Sequence, residues 1–166
     1  GMGMLAKEIS MEMDIETIKA QAVIVRTGIY KKMTEQKEGE ELVFTDHFYT
    51  VDEMEKEWKS HMQEYYETLS KAWNETKERI LVYEDHPAYT PYCRLTNGKT
   101  RDAKEALGTD QYQYLKSVDC AEDKDAEDAF QSKEIDGTGY EITKQDSAGY
   151  VLEIRQGEET MDGDTF

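Results

Sequence analysis

Lys19 and Arg26 are the only charges in the run KAQAVIVRT, which is otherwise mostly apolar. Seven positions apart, they fall on one side of a helix, about 10.5 Å from each other along its axis. Such residues are seldom buried alone, because an unpaired buried charge is expensive. The pair therefore either meets carboxylates or backbone carbonyls, or carries its charged ends to the surface on aliphatic stems. Other reactive groups are few. His47, His61, His86, Cys93 and Cys120 are able to ligate a metal, but none shows spacing such as C-x-x-C, and a closed zinc site is not expected. Residues 119–128 hold six acids and one lysine, lack the glycine of a calcium loop, and read as a solvated loop. Cys93 and Cys120 do not make a disulfide framework, and their separation in space is not given by their spacing.

Two helices must position these groups. The first is expected from Asp14 to Lys32, with Asp14 as N-cap and Glu16 at the positive end of the dipole. Ile15, Ile18, Ala22, Val25 and Ile29 form one apolar stripe, and Lys19, Val23, Arg26 and Tyr30 border it. With Ala20 and Ile24 on other sides, the helix reads as central and buried. The second is expected from Val51 to Asn74, opened by the capping box Thr50-Val51-Asp52-Glu53. Its stripe of Met54, Trp58, Met62, Tyr65, Leu69 and Ala72 is core. Residues 34–41 between the helices form a charged loop. From Ile80 the period changes: ILVY reads as a strand, residues 84–87 as a turn, and Ala88 to Leu95 as a second strand. Asn97-Gly98 signals a turn, Tyr114 to Val118 a strand, and the late YEITKQDSAGYVLEIR a hairpin about residues 146–149. Helices early and strands late give an α+β class: a central buried helix and a long amphipathic helix packed with antiparallel hairpins. The length suits one domain, 1–166.

Composition narrows function. There are 37 acidic and 20 basic residues, a formal net charge of −17, which argues against a nucleic-acid partner. Eleven tyrosines and two tryptophans are too many for a disordered acidic tail. No apolar stretch approaches the roughly 20 residues of a membrane span, and no signal-peptide pattern is present. Gly1-Met2 reads as a cloning remnant. Compartment does not follow from composition.

LAKEISMEMDIETIKAQAVIVRT resembles the first signature of the stage II sporulation protein D / LytB family, a glutamate followed by an E-x-x-K-A-Q-A-x-x-x-R-T helix. Further matches follow in order. NETKERILVYEDHPAYTPYCRLTNGKT is similar to the family's A-T-K-G strand, hairpin and S-x-S-G-G-x-T loop. QYLKSVD resembles its P-Y-L-x-S-V-x-S stretch, and DSAGYVLEI its late hairpin. The resemblance implies a peptidoglycan lytic transglycosylase acting on denuded glycan strands, outside the cytoplasm and without a cofactor. It implies Glu8 as the single acid/base. Tyr92, Thr96, Gly98, Lys99, Thr100, Tyr114 and Ser117 would line a glycan groove, with Lys19 and Arg26 in structural or substrate-binding support. A nearby cation lowers a carboxyl pKa, so direct pairing of either with a protonated Glu8 is disfavoured.

The chain departs from the family pattern in places. Cys93 and Arg94 stand where the family has His-Ser, and Ile9-Ser10 where a proline usually follows the glutamate. The family also has strand-forming sequence before Gly3 and further chain after Phe166, so the chain reads as trimmed at both ends, any signal or anchor being absent from it. A second function fits these departures: a non-catalytic glycan- or amidase-binding modifier of wall hydrolysis, as in the LytB branch. A purely structural acidic domain is the third, and leaves the Glu8, Lys19 and Arg26 pattern accidental.

Overall fold

The Asp14 carboxylate accepts hydrogen bonds from the amides of Glu16 and Thr17, both at 3.0 Å, and so starts the central helix where its sequence requires. The computed structural model describes residues 1–44, 48–126 and 137–163. They fall into two compact units, Gly1–Tyr92 and Cys93–Phe166.

The first unit is helical. Helix α1 (Met2–Glu8) precedes α2 (Ile15–Glu35), and α3 (Val51–Trp58) passes through a short 3-10 turn (Lys59–His61) into α4 (Met62–Glu75). Leu5 and Ala6 of α1, Ile18, Ala22 and Val25 of α2, Met54 and Trp58 of α3, and Leu69 and Ala72 of α4 close one apolar core. Helix α2 packs against α1, α4 and the short strand His86–Pro87, the central place its apolar stripe predicts. Gly3 is required by a close approach: its carbonyl accepts the Tyr49 amide at 2.9 Å, and a Cβ would run into the Tyr49 carbonyl.

The second helix is broken where the sequence predicts one rod. Thr50 and Glu53 form the expected capping box, but Lys59 turns to φ +47° and ends α3. A straight helix over 51–74 would run about 36 Å as one rod. The break lets Trp58 and Tyr65 meet edge to face at 5.8 Å while Leu69 and Ala72 still reach α2. Helix α1 itself has no expectation in the sequence pattern.

The strands are fewer and shorter than expected here. β1 (Val82–Tyr83) pairs antiparallel with β2 (His86–Pro87) across a two-residue turn at Glu84 and Asp85, both at positive φ. The strand expected over 88–95 does not form. Pro91 has no amide for a ladder, and Thr90 spends its hydroxyl on the Ile24 carbonyl of α2 instead.

The second unit contains α5 (Ala103–Leu107), a 3-10 turn (Ala121–Asp125) and an antiparallel sheet in the order β3 (Tyr140–Gln145), β4 (Val151–Gln156), β5 (Glu159–Asp162). The β3–β4 hairpin turns through residues 146–149 as expected, and β5 extends it. Tyr114 to Val118 is not a strand. Its backbone bonds go singly to the segment before it, Leu115 to Ala103 and Val118 to Thr100, with one bridge between Lys99 and Asp119. The fold is α+β, helices first and antiparallel strands after. Among the described residues no helix is long and apolar enough to cross a membrane.

Candidate functional site

Glu8 is the last residue of α1, half-buried, where the helix leaves its terminal carbonyls without intrahelical donors. Two residues hold it. The Tyr92 hydroxyl donates to the Glu8 backbone carbonyl at 2.8 Å. The Gln21 side-chain amide donates to Glu8 Oε2 at 2.7 Å. Gln21 belongs to α2 and is 6% exposed. Tyr92 is among the expected site residues; Gln21 is not. A signal for it exists in the sequence, because Gln21 lies on the buried stripe with Ile18, Ala22 and Val25, where an amide needs a partner.

Lys19 and Arg26 both find partners, of different kinds. Lys19 Nζ bridges Glu16 at 2.8 Å and Glu75 at 2.7 Å, tying α2 to the end of α4. The bonds to Glu16 and then Glu75 hold its ammonium above the ordinary lysine range, and Lys19 holds Glu75 below the ordinary carboxylate range. Arg26 is 5% exposed. Its guanidinium donates to the carbonyls of Thr76 at 2.7 Å and Trp73 at 2.8 Å, and stacks 4.2 Å from the Trp73 ring. These carbonyls belong to the C-terminal end of α4, the negative end of its dipole, so a buried cation is well placed there. Burial pushes the guanidinium below its ordinary value. The adjacent Thr27 is fully buried, and its hydroxyl accepts the Leu81 amide at 2.9 Å, fixing the chain as it enters β1.

In the second unit the loop 96–100 is built around its own backbone. Buried Thr96 gives its hydroxyl to Asp123 Oδ2 at 2.7 Å and its amide to the same oxygen at 2.8 Å. The hydroxyl oxygen also accepts the Gly98 amide at 3.1 Å. Gly98 has φ +106°, which glycine alone adopts without strain. Thr100 accepts the Val118 amide on its hydroxyl at 2.9 Å. Lys99 is exposed and pairs with Asp119 at 3.3 Å. Asp119 and Asp123 therefore secure the loop, so the acidic stretch expected to be merely solvated is partly structural. Tyr114 stands edge to face with Tyr112 at 6.4 Å, and Ser117 is exposed.

The same unit is locked by Asp146, whose side chain is wholly buried. It accepts the amides of Ala148 and Tyr150 and pairs with Arg101 Nε at 2.6 Å. Burial raises this carboxyl, but the Tyr150 amide and Arg101 outweigh it and leave the group below its ordinary value. Tyr150 in turn accepts the Asn97 amide and donates to the Lys99 carbonyl, each at 3.3 Å, so the hairpin turn supports the loop.

Both cysteines are free, and Cys93 is exposed. Among the described residues no three metal-ligating groups come together; His47 lies outside those residues.

The sequence is similar to known proteins. The family model described as Stage II sporulation protein covers residues 2–83, which include Glu8, Lys19, Gln21 and Arg26. The chain is 32% identical over 130 residues to Stage II sporulation protein D of Bacillus amyloliquefaciens. It is 30% identical over 130 residues to Stage II sporulation protein D of Bacillus subtilis (strain 168). Each match takes in 74% of this chain and 38% of the relative, so the chain spans under two fifths of the curated relatives' length. Over residues 2–83 the chain is therefore similar to the stage II sporulation protein D family.

Proposed function

We propose that this domain is a lytic transglycosylase of the cell wall, cleaving denuded peptidoglycan strands on the outer side of the cytoplasmic membrane during sporulation. The setting of Glu8 carries the reading: a half-buried carboxylate at a helix end, held through its side chain by the neutral amide of Gln21 and through its backbone by Tyr92. As general acid, Glu8 gives its proton to the glycosidic oxygen while the bond from that oxygen to the muramoyl C1 breaks. As base, it takes the proton of the C6 hydroxyl while that oxygen bonds to C1 and closes the 1,6-anhydro ring. No water is consumed. The substrate supplies the nucleophile, so the second carboxylate of ordinary glycosidases is not needed.

Lys19 and Arg26 serve this reading as scaffold, since their donors already go to Glu16, Glu75 and the end of α4. Within the second unit, Thr96, Gly98 and Thr100 shape the loop that exposes Lys99, and Lys99, half-exposed Tyr114 and exposed Ser117 are that unit's groups for sugar hydroxyls.

The test is mass spectrometry of denuded strands after incubation with the parent chain and with Glu8→Gln. Anhydro-muramoyl ends from the parent and none from the variant are expected. Equal yields from both would remove Glu8 from the chemistry.

A second reading, a non-catalytic module that binds glycan or a wall amidase, draws on one observation. The Thr96 hydroxyl is committed to Asp123 and the Thr100 hydroxyl to Val118, while Cys93 and Arg94 stand in place of the family's His-Ser. Glycan or amidase binding with no anhydro ends from either protein would favour it.

A further inference from the structure

Gln21 is an unusual residue for its position. It lies on the core side of α2 between Ile18 and Val25, where an apolar side chain would pack without needing a partner. Its amide instead reaches Glu8 Oε2 at 2.7 Å. The two cations nearest in sequence on α2 are engaged elsewhere, Lys19 with Glu16 and Glu75 and Arg26 with the end of α4. The partner given to the carboxylate is therefore neutral and two-sided. A glutamine Nε2 donates to a carboxylate, and after a half-turn of the terminal torsion its Oε1 accepts from a carboxylic acid. A lysine or arginine in that place would favour the charged form alone.

We infer that Gln21 is the positioning residue for Glu8, holding the carboxyl group in one place through both of its protonation states. The inference rests on the reading of Glu8 as acid/base only for its catalytic consequence. During turnover Glu8 loses its proton to the glycosidic oxygen and regains one from the C6 hydroxyl. Gln21 Nε2 serves it between those events, and Oε1 before and after them.

Gln21→Met keeps the length and approximate volume of the side chain and removes both polar ends. The melting temperature and the KM for denuded glycan are expected to stay at the parent values, while kcat falls about 10- to 100-fold from the misplaced carboxyl group. A kcat within about twofold of the parent overturns the inference, as does a loss of activity that only follows a fall in melting temperature. A second measurement needs no turnover. The Gln21 side-chain amide protons, followed by NMR as pH is lowered, are expected to move in the parent and to stay in place in Glu8→Gln. Amide resonances that behave alike in both proteins overturn the inference. If the parent yields no anhydro ends while the Gln21 amide still follows Glu8, the catalytic reading fails and the positioning of Glu8 stands.

Discussion

Removing the Arg26 guanidinium would take a charged donor from the Thr76 and Trp73 carbonyls, leaving them the Arg79 amide at 2.9 Å and the Thr76 hydroxyl at 3.3 Å. Hydrogen bonds to a charged group contribute about 1.5–3 kcal/mol. Arg26→Met is therefore expected to lower the unfolding free energy by about 2–3 kcal/mol in urea titration followed by tryptophan fluorescence. Arg26→Lys keeps the charge and loses the fork that spans two carbonyls, so it is expected to recover only part of that loss; full recovery would mean that the charge alone matters. Asp146 makes the corresponding prediction in the second unit. Its folded pKa lies below the ordinary 3.8, so its contribution to stability is complete above that value and fades as pH falls through the lowered one. Protection of the Ala148 and Tyr150 amides from exchange is expected to be full at about pH 6 and to drop only at a pH well below 3.8 in the parent. In Asp146→Asn it should be low at both, because the Arg101 pair is gone; unchanged protection would sink the assignment. At this scale the site is half legible in sequence. The seven-residue spacing of Lys19 and Arg26 demands partners, but whether these are carboxylates or carbonyls depends on where α4 ends, fifty residues away. Gln21 is the converse case: its burial is legible from periodicity, its partner only from the packing of α1.

Elements whose signals are local form where the sequence puts them. The Asp14 cap, the Thr50–Glu53 capping box and the turn through residues 146–149 each depend on a few adjacent residues, and each is found. The breaks and short strands come from competition at a distance. Nothing in the stripe of Met54, Trp58, Met62 and Tyr65 reveals the turn at Lys59 that ends α3. Likewise the apolar run after Pro87 reads as a strand until Pro91 and the Thr90 bond to α2 are taken into account. The break at Lys59 is testable. With φ +47° and ψ −116° it holds a non-glycine residue in a region glycine prefers, at about 1–3 kcal/mol. Lys59→Gly relieves that strain and raises the chain entropy of the unfolded state, two effects of opposite sign. We expect a net gain of about 1 kcal/mol, read as a higher urea midpoint. A loss of similar size would indicate that the Lys59 backbone is unstrained.

A net charge of −17 on 166 residues acts on every encounter with an anionic surface. Walls bearing teichoic acid are strongly anionic, whereas denuded glycan, without its stem peptides, is much less so. Repulsion should therefore hold the protein off the first and leave the second accessible, with the difference greatest when salt is low. Raising ionic strength from about 0.01 M to about 0.1 M shortens the screening length from about 30 Å to about 10 Å. Cosedimentation with teichoic-acid-bearing wall is expected to increase over that range, and cosedimentation with denuded glycan to change little. Binding to anionic wall that instead weakens with salt would mean that a local basic surface, such as the one offered by Lys99, governs the encounter in spite of the overall charge. The acidic composition would then describe solvation alone, and the proposed preference for denuded strands would rest entirely on contacts made by the site.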